Sequence, residues 1–247
     1  MDDEGGFVKS LTSPPLSSAG SSTITPSLPH PRNHSLAVGS PKEASFVRFV
    51  NQYIDRIQHH YANRDNEEEQ LSKRTGYRSF KEFVAEAEKL VDLIWVSGTP
   101  SLQITFLLNV ALLVQTYIPN LPPAPKAMFR LLDKLDTAFA SLLQGRDLDS
   151  GEMLPGFETG RGVSGTEKVR IKSIADNTRV VVVHLMSQDH LDFQSETDSI
   201  DENDASMEED EMKMDPIVEP DFAMNTARVY DKTIVELGDQ LGAINSV

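Results

Sequence analysis

The sequence contains no cysteine. That excludes a disulfide framework, a thiol nucleophile and any cysteine-ligated zinc. Aromatic residues are few, at 7%, and Trp95 is the only tryptophan, so it reads as a core plug near a helix end rather than part of a ligand platform. No apolar run reaches the roughly 20 residues that a membrane span wants. The nearest approach, Leu102 to Ile118, is interrupted by Gln103, Thr105, Asn109, Gln115 and Thr116 and has no Lys/Arg cluster at either end. The first ten residues, MDDEGGFVKS, are acidic and lack an apolar core, so no signal peptide is expected. His59 and His60 are adjacent, about 100° apart on a helix, and cannot share an ion.

Positive charge is the scarcer sign, with 23 Lys and Arg against 38 Asp and Glu, for a net charge of −15. The excess is local. From Asp189 to Asp221 there are fourteen acids and one base, Lys213, which puts −13 in that segment and leaves −2 elsewhere. The acidity therefore belongs to one linker and says nothing about the core. It does not form a calcium loop, because Asp198, Asp201 and Asp204 lack the fixed alternation and the turn glycine.

What is present is helical periodicity. The stretch Leu102–Ile118 is apolar on nearly every side and is expected to be a buried central helix, with Leu108 and Leu112 in the core. Thr99 is its expected N-cap and Pro100 its first residue, and Pro119 stops it. A preceding helix opens on the capping box Ser79–Glu82 and carries Phe80, Phe83, Val84, Ala87, Val91 and Ile94 inward. The first helix, from about Lys42 to Asn63, aligns Phe46, Phe49, Val50, Tyr53, Ile57 and Tyr61. A fourth, about Ala124 to Leu143, aligns Met128, Leu131, Leu132, Leu135, Phe139 and Leu142 and ends at Gly145. In the fifth, about Thr166 to Gln188, Ile171, Ile174, Thr178, Val181, Val182 and Leu185 have helical spacing. The β-branched run Val180–Val183 could also be a strand, but no second strand is available to pair with it. The last helix, from near Pro220 to Gly242, steps through Ala223, Ala227, Tyr230, Ile234, Leu237 and Leu241 as an a/d seam.

The fold class expected is all-α: a single helical bundle of about six helices around a central buried helix, with long disordered segments. Its divisions are a disordered Ser/Pro-rich arm over 1–42, a helical bundle over 43–188, an acidic disordered loop over 189–219, and a C-terminal helix over 220–244 that packs back on the bundle.

Functional signals are thin. Gly160, Gly162 and Gly165 form G-x-G-x-x-G just before a helix, inside a loop with six glycines between Gly145 and Gly165. A dinucleotide fingerprint must leave a buried strand, and none precedes it; Ser164 and Glu167 explain the local residues as a capping box. Arg161, Lys168, Arg170, Lys172 and Arg179 make the densest basic cluster on an ordered element and are the candidate interaction residues. Candidate phosphorylation sites are Ser13, Thr25 and Ser40, each followed by proline, and Ser195, Ser199 and Ser206, each with an acid three residues on. No catalytic residue, cofactor or metal site is expected. The reading is a non-enzymatic scaffold or adaptor subunit of an intracellular complex, nuclear or cytoplasmic, with protein partners and no membrane role. The alternative is a nucleic-acid-associated nuclear protein whose basic helix is masked by its acidic loop, and a third reading is a nucleotide binder using the glycine-rich loop.

Overall fold

The computed structural model describes residues 28–65, 76–158, 162–187 and 222–244. Among them the chain is all-α: α1 (Pro41–Ala62), α2 (Phe80–Val96), α3 (Pro100–Tyr117), α4 (Pro125–Gln144), α5 (Gly165–Met186), α6 (Phe222–Ala227) and α7 (Asp231–Ile244). A 3-10 turn, Ile118–Asn120, follows α3. The Val180–Val183 run is helical, inside α5. Among the described residues the only β pairing is one bridge, Arg146 to Met153.

The bundle does close around a central helix, but that helix is α4. Fifteen of its twenty residues are buried, against nine of eighteen in α3. α2, α3 and α7 all pack on it. α3, expected at the centre, keeps a solvent stripe of Ser101, Thr105, Asn109, Leu112 and Thr116, spaced by 4, 4, 3 and 4. Asn109 therefore meets water and needs no internal partner. Leu108 is buried as expected, but Leu112 is not: it is 51% exposed. An apolar composition all round hid the face that turns outward. α1 is rotated in the same way, with Ile54 buried and Phe49 facing out.

Two expected caps are used differently. Thr99 sits at the N-cap of α3, yet its hydroxyl donates to the Ser97 carbonyl at 3.0 Å and accepts the Leu36 amide at 2.9 Å. Ser79 makes no cap bond, and Glu82 reaches one residue further back, to the Arg78 amide at 2.8 Å. In α5 the capping box of Ser164 and Glu167 is complete.

Residues 28–40, read from composition as disordered, instead lie along the α2–α3 turn. Leu28 and Leu36 are buried. The Arg32 amide donates to the Val96 carbonyl at 3.3 Å and the Ser35 hydroxyl to the Gly98 carbonyl at 2.8 Å. Two leucines and the free carbonyls of a helix end hold this strap, and neither shows in a composition count. The glycine-rich loop braces it. Gly156, at φ +85, lies where an added Cβ would meet Pro100 Cδ and Ser35 Oγ, each at 2.7 Å.

The last helix also departs from expectation. It breaks into α6 and α7 at Tyr230, a non-glycine residue at φ +55. Ala223 and Ala227 are consequently exposed, while Val229, Tyr230, Thr233 and Leu237 are buried. The side chain of Leu241 lies outside the described residues.

Candidate functional site

Two surfaces stand out, one closed and one open. The closed one is the seam between α4 and α7. A helix start leaves its first amides without intrahelical partners. In α7 those of Lys232 and Thr233 are taken by the Asp136 side chain of α4, at 3.2 and 2.8 Å, and the Thr233 hydroxyl adds a bond to Asp136 Oδ1 at 2.6 Å. Lys232 Nζ reaches Asp133 Oδ1 at 2.7 Å and the Thr137 hydroxyl at 2.9 Å. Asp136 is only 2% exposed. Burial pushes its carboxyl above the ordinary aspartate value, and the bonds from Thr233 and Lys232 pull the other way. On the opposite flank of α4, buried Lys134 pairs with Asp92 of α2 at 2.7 Å, and Arg130 grips Glu88 with two bonds at 2.6 and 3.1 Å. The periodicity of this helix singles out its apolar residues and assigns these charged positions no role. The signal available was their number, four in the seven residues Arg130 to Asp136, on a helix otherwise apolar enough for the core.

The open surface is a groove of about 320 Å³ between α3 and α5. Buried Ile104 and Leu108, with half-buried Ile174, give it an apolar floor. Leu112 stands at its edge, and Thr105, Asn109, Ser173, Glu167 and Arg170 make the rim. Glu167 is engaged in its capping box, accepting the Ser164 amide at 2.8 Å. Arg170 is exposed and makes no ion pair among the described residues.

The expected basic cluster does not form one patch. Lys172 and Arg170 lie about 160° apart around α5 at 100° per residue. Lys172 pairs with Asp176 at 2.5 Å. Arg179 turns to α6 and donates to the Ala227 carbonyl at 3.4 Å. Lys168 is half-buried. Arg161, like Gly160 of the glycine motif, lies outside the described residues. So do Ser13, Thr25, Ser195, Ser199 and Ser206. Ser40 is described: it is the N-cap of α1, in extended backbone, and its hydroxyl accepts the Glu43 amide at 3.1 Å.

Among the described residues no group of three or more His, Asp or Glu could hold a metal ion. A polar cluster joins α1 to α2, where Glu86 accepts the Tyr77 hydroxyl at 2.7 Å and His60 Nδ1 lies 3.4 Å from the same carboxylate. Burial, then the bond to Glu86, raises the Tyr77 hydroxyl far above the usual phenol range, so it stays protonated and acts as a donor. By length and composition the segment Pro100–Asn120 could cross a membrane, but 56% of its apolar window is buried inside this bundle.

Residues 76–238 match the family described as subunit 11 of the general transcription factor TFIIH, TFB6. This chain belongs to that family. The match runs from just before α2 into α7. It therefore contains the α4–α7 seam and the α3–α5 groove and leaves out α1 and the 28–40 strap. No curated protein and no solved structure matches the chain. The family's description is that of a component of a multi-subunit complex, so association with other protein subunits is the function at the coarse level.

Proposed function

We propose that this chain is a non-enzymatic helical scaffold or adaptor subunit of a TFIIH-type complex and works in the nucleus. Its single supporting observation is the family match over α2 to α7, the part of the fold that carries both the seam and the groove. The physical reading agrees. α4 uses its charged groups on neighbouring helices, whereas α3 leaves one large apolar side chain, Leu112, half exposed among the polar residues of its solvent stripe.

Phosphorylation is proposed to tune this subunit at Ser13, Thr25, Ser40, Ser195, Ser199 and Ser206. At Ser40 the reasoning can be made concrete. A phosphate adds roughly −1.5 to −2 charge and is favoured at a helix N-terminus. It would compete with Glu43, whose carboxylate holds the Gly39 amide at 2.5 Å. The consequence is a change at the strap–α1 junction rather than loss of α1.

The test is purification of the full-length tagged chain from its native cell, followed by subunit and phosphosite mass spectrometry. Stoichiometric recovery of TFIIH subunits is the expected result. Recovery of the chain free of them, with TFIIH intact elsewhere in the extract, overturns the reading.

A further inference from the structure

We propose that the α3–α5 groove is the docking site for an acidic amphipathic helix of a protein partner: a helix with leucine-sized side chains one turn apart and a carboxylate on the flank. The inference rests on the subunit reading above in taking the partner to be a protein.

Shape comes first. Along α3 the apolar lining runs from Ile104 through Leu108 on the floor to Leu112 at the edge, about 12 Å at 1.5 Å per residue, which is two helical turns. A channel of that length between two helices suits a third helix laid in with its apolar stripe down. Leu112 is the decisive side chain. It is half exposed at the groove edge, where the fold leaves it in water, although α3 could have placed a polar residue there as it does at Thr105 and Asn109.

Charge then selects the partner. Two charged residues line the groove. Glu167 is already bound to the Ser164 amide and hydroxyl, at 2.8 and 2.6 Å. Arg170 is exposed and makes no ion pair among the described residues. The net invitation is to a carboxylate beside apolar contacts. The guanidinium can grip such a group with two parallel bonds, and Asn109 and Ser173 supply further polar contacts at the rim.

The experiment uses the full-length protein and two fluorescein-labelled, alanine-based helical peptides of about 18 residues, long enough to hold some helix alone. They are identical except for glutamate or lysine beside the leucine stripe. Fluorescence anisotropy at low salt is expected to show the glutamate peptide binding about two- to fivefold more tightly, the range for one exposed ion pair. Raising the salt should narrow the gap. Arg170→Glu should reverse the order of the two peptides. Leu112→Asp should weaken both by about tenfold or more, as for loss of an interface anchor. Both positions are exposed, and circular dichroism checks that each variant is folded.

Equal binding of the two peptides, or binding indifferent to Leu112→Asp, overturns the proposal. So does self-association in sedimentation that Leu112→Asp abolishes, because the occupant is then a second copy of this chain. Co-purification with TFIIH is read separately. If the wild-type chain is recovered with TFIIH but shows no peptide preference, the groove inference alone fails. If it is not recovered with TFIIH, the subunit reading fails whatever the peptides do.

Discussion

Thr233 of α7 gives Asp136 of α4 two hydrogen bonds to one oxygen, from its amide at 2.8 Å and its hydroxyl at 2.6 Å. The cap of the last helix is thus supplied by a residue 97 positions earlier in the chain. A helix capped from its neighbour is docked and started by the same contact. Asp136→Ala is therefore expected to cost about 2–4 kcal/mol, combining a lost cap with donors left buried and unpaired. Urea unfolding measures the total, and hydrogen exchange of the amides of residues 231–238 locates it. An unchanged midpoint together with unchanged protection of α7 would show that Asp136 does not hold the helix.

The same carboxyl sets a pH dependence. Burial raises the Asp136 pKa above its ordinary value in the folded state. A group raised on folding contributes stability that is full below the unfolded pKa and is lost as pH rises through the folded one. The wild-type protein should therefore gain stability relative to Asp136→Asn as the pH falls from neutral into the carboxylate range. Thermal melting of both proteins across that range is the check. A difference that is flat with pH, or that shrinks on acidification, contradicts the assignment.

Leu108 and Leu112 are one turn apart on α3 and should respond oppositely. Leu108 is buried, and its truncation to Ala is expected to cost about 2–4 kcal/mol. Leu112 is half exposed, and the same truncation should stay within about 1 kcal/mol. Chemical denaturation of the pair tests the orientation of α3 directly. Equal large losses would mean that α3 is enclosed on all sides.

Glycines in the 145–165 loop should rank by what surrounds them. Gly156→Ala forces a Cβ against Pro100 and Ser35 at positive φ, so a loss of about 1–3 kcal/mol is expected. Gly162→Ala meets open space without a positive φ and should be nearly neutral. Melting temperatures give the ranking, and amide exchange at residues 35 and 36 shows whether the strap loosens in the first variant alone. Loosening in both, or in neither, would separate the loop from the strap.

Much of the fold was legible in the chain itself. The inward faces of α2 and α4 follow from apolar residues at spacings of three and four, because a 3.6-residue period leaves no other way to bury Phe83, Val91, Leu131 and Leu135 together. The helical state of Val180–Val183 followed from the lack of a partner strand, and the start of α5 from Ser164 and Glu167, which act within one turn. The acidity of the 189–221 segment and the absence of thiol chemistry are composition alone.

Tertiary structure decided what local pattern leaves degenerate. A helix apolar on every side, such as α3, carries no mark of which stripe faces out; its neighbours α2, α4 and α5 choose, and they leave Leu112 and Asn109 in water. An aspartate within an amphipathic helix is ordinarily a surface residue. Only the approach of α7 makes Asp136 a cap, since that bond joins positions 97 apart. The basic residues of α5 read as one cluster in sequence because proximity along a chain ignores the turn of the helix. In space Arg170 goes to the groove, Lys172 to Asp176 and Arg179 to α6. Tyr230 shows the same limit. Its heptad position continues a straight helix, and it is the burial of its ring against Phe139 of α4, with centroids 6.2 Å apart, that goes with the left-handed turn dividing α6 from α7.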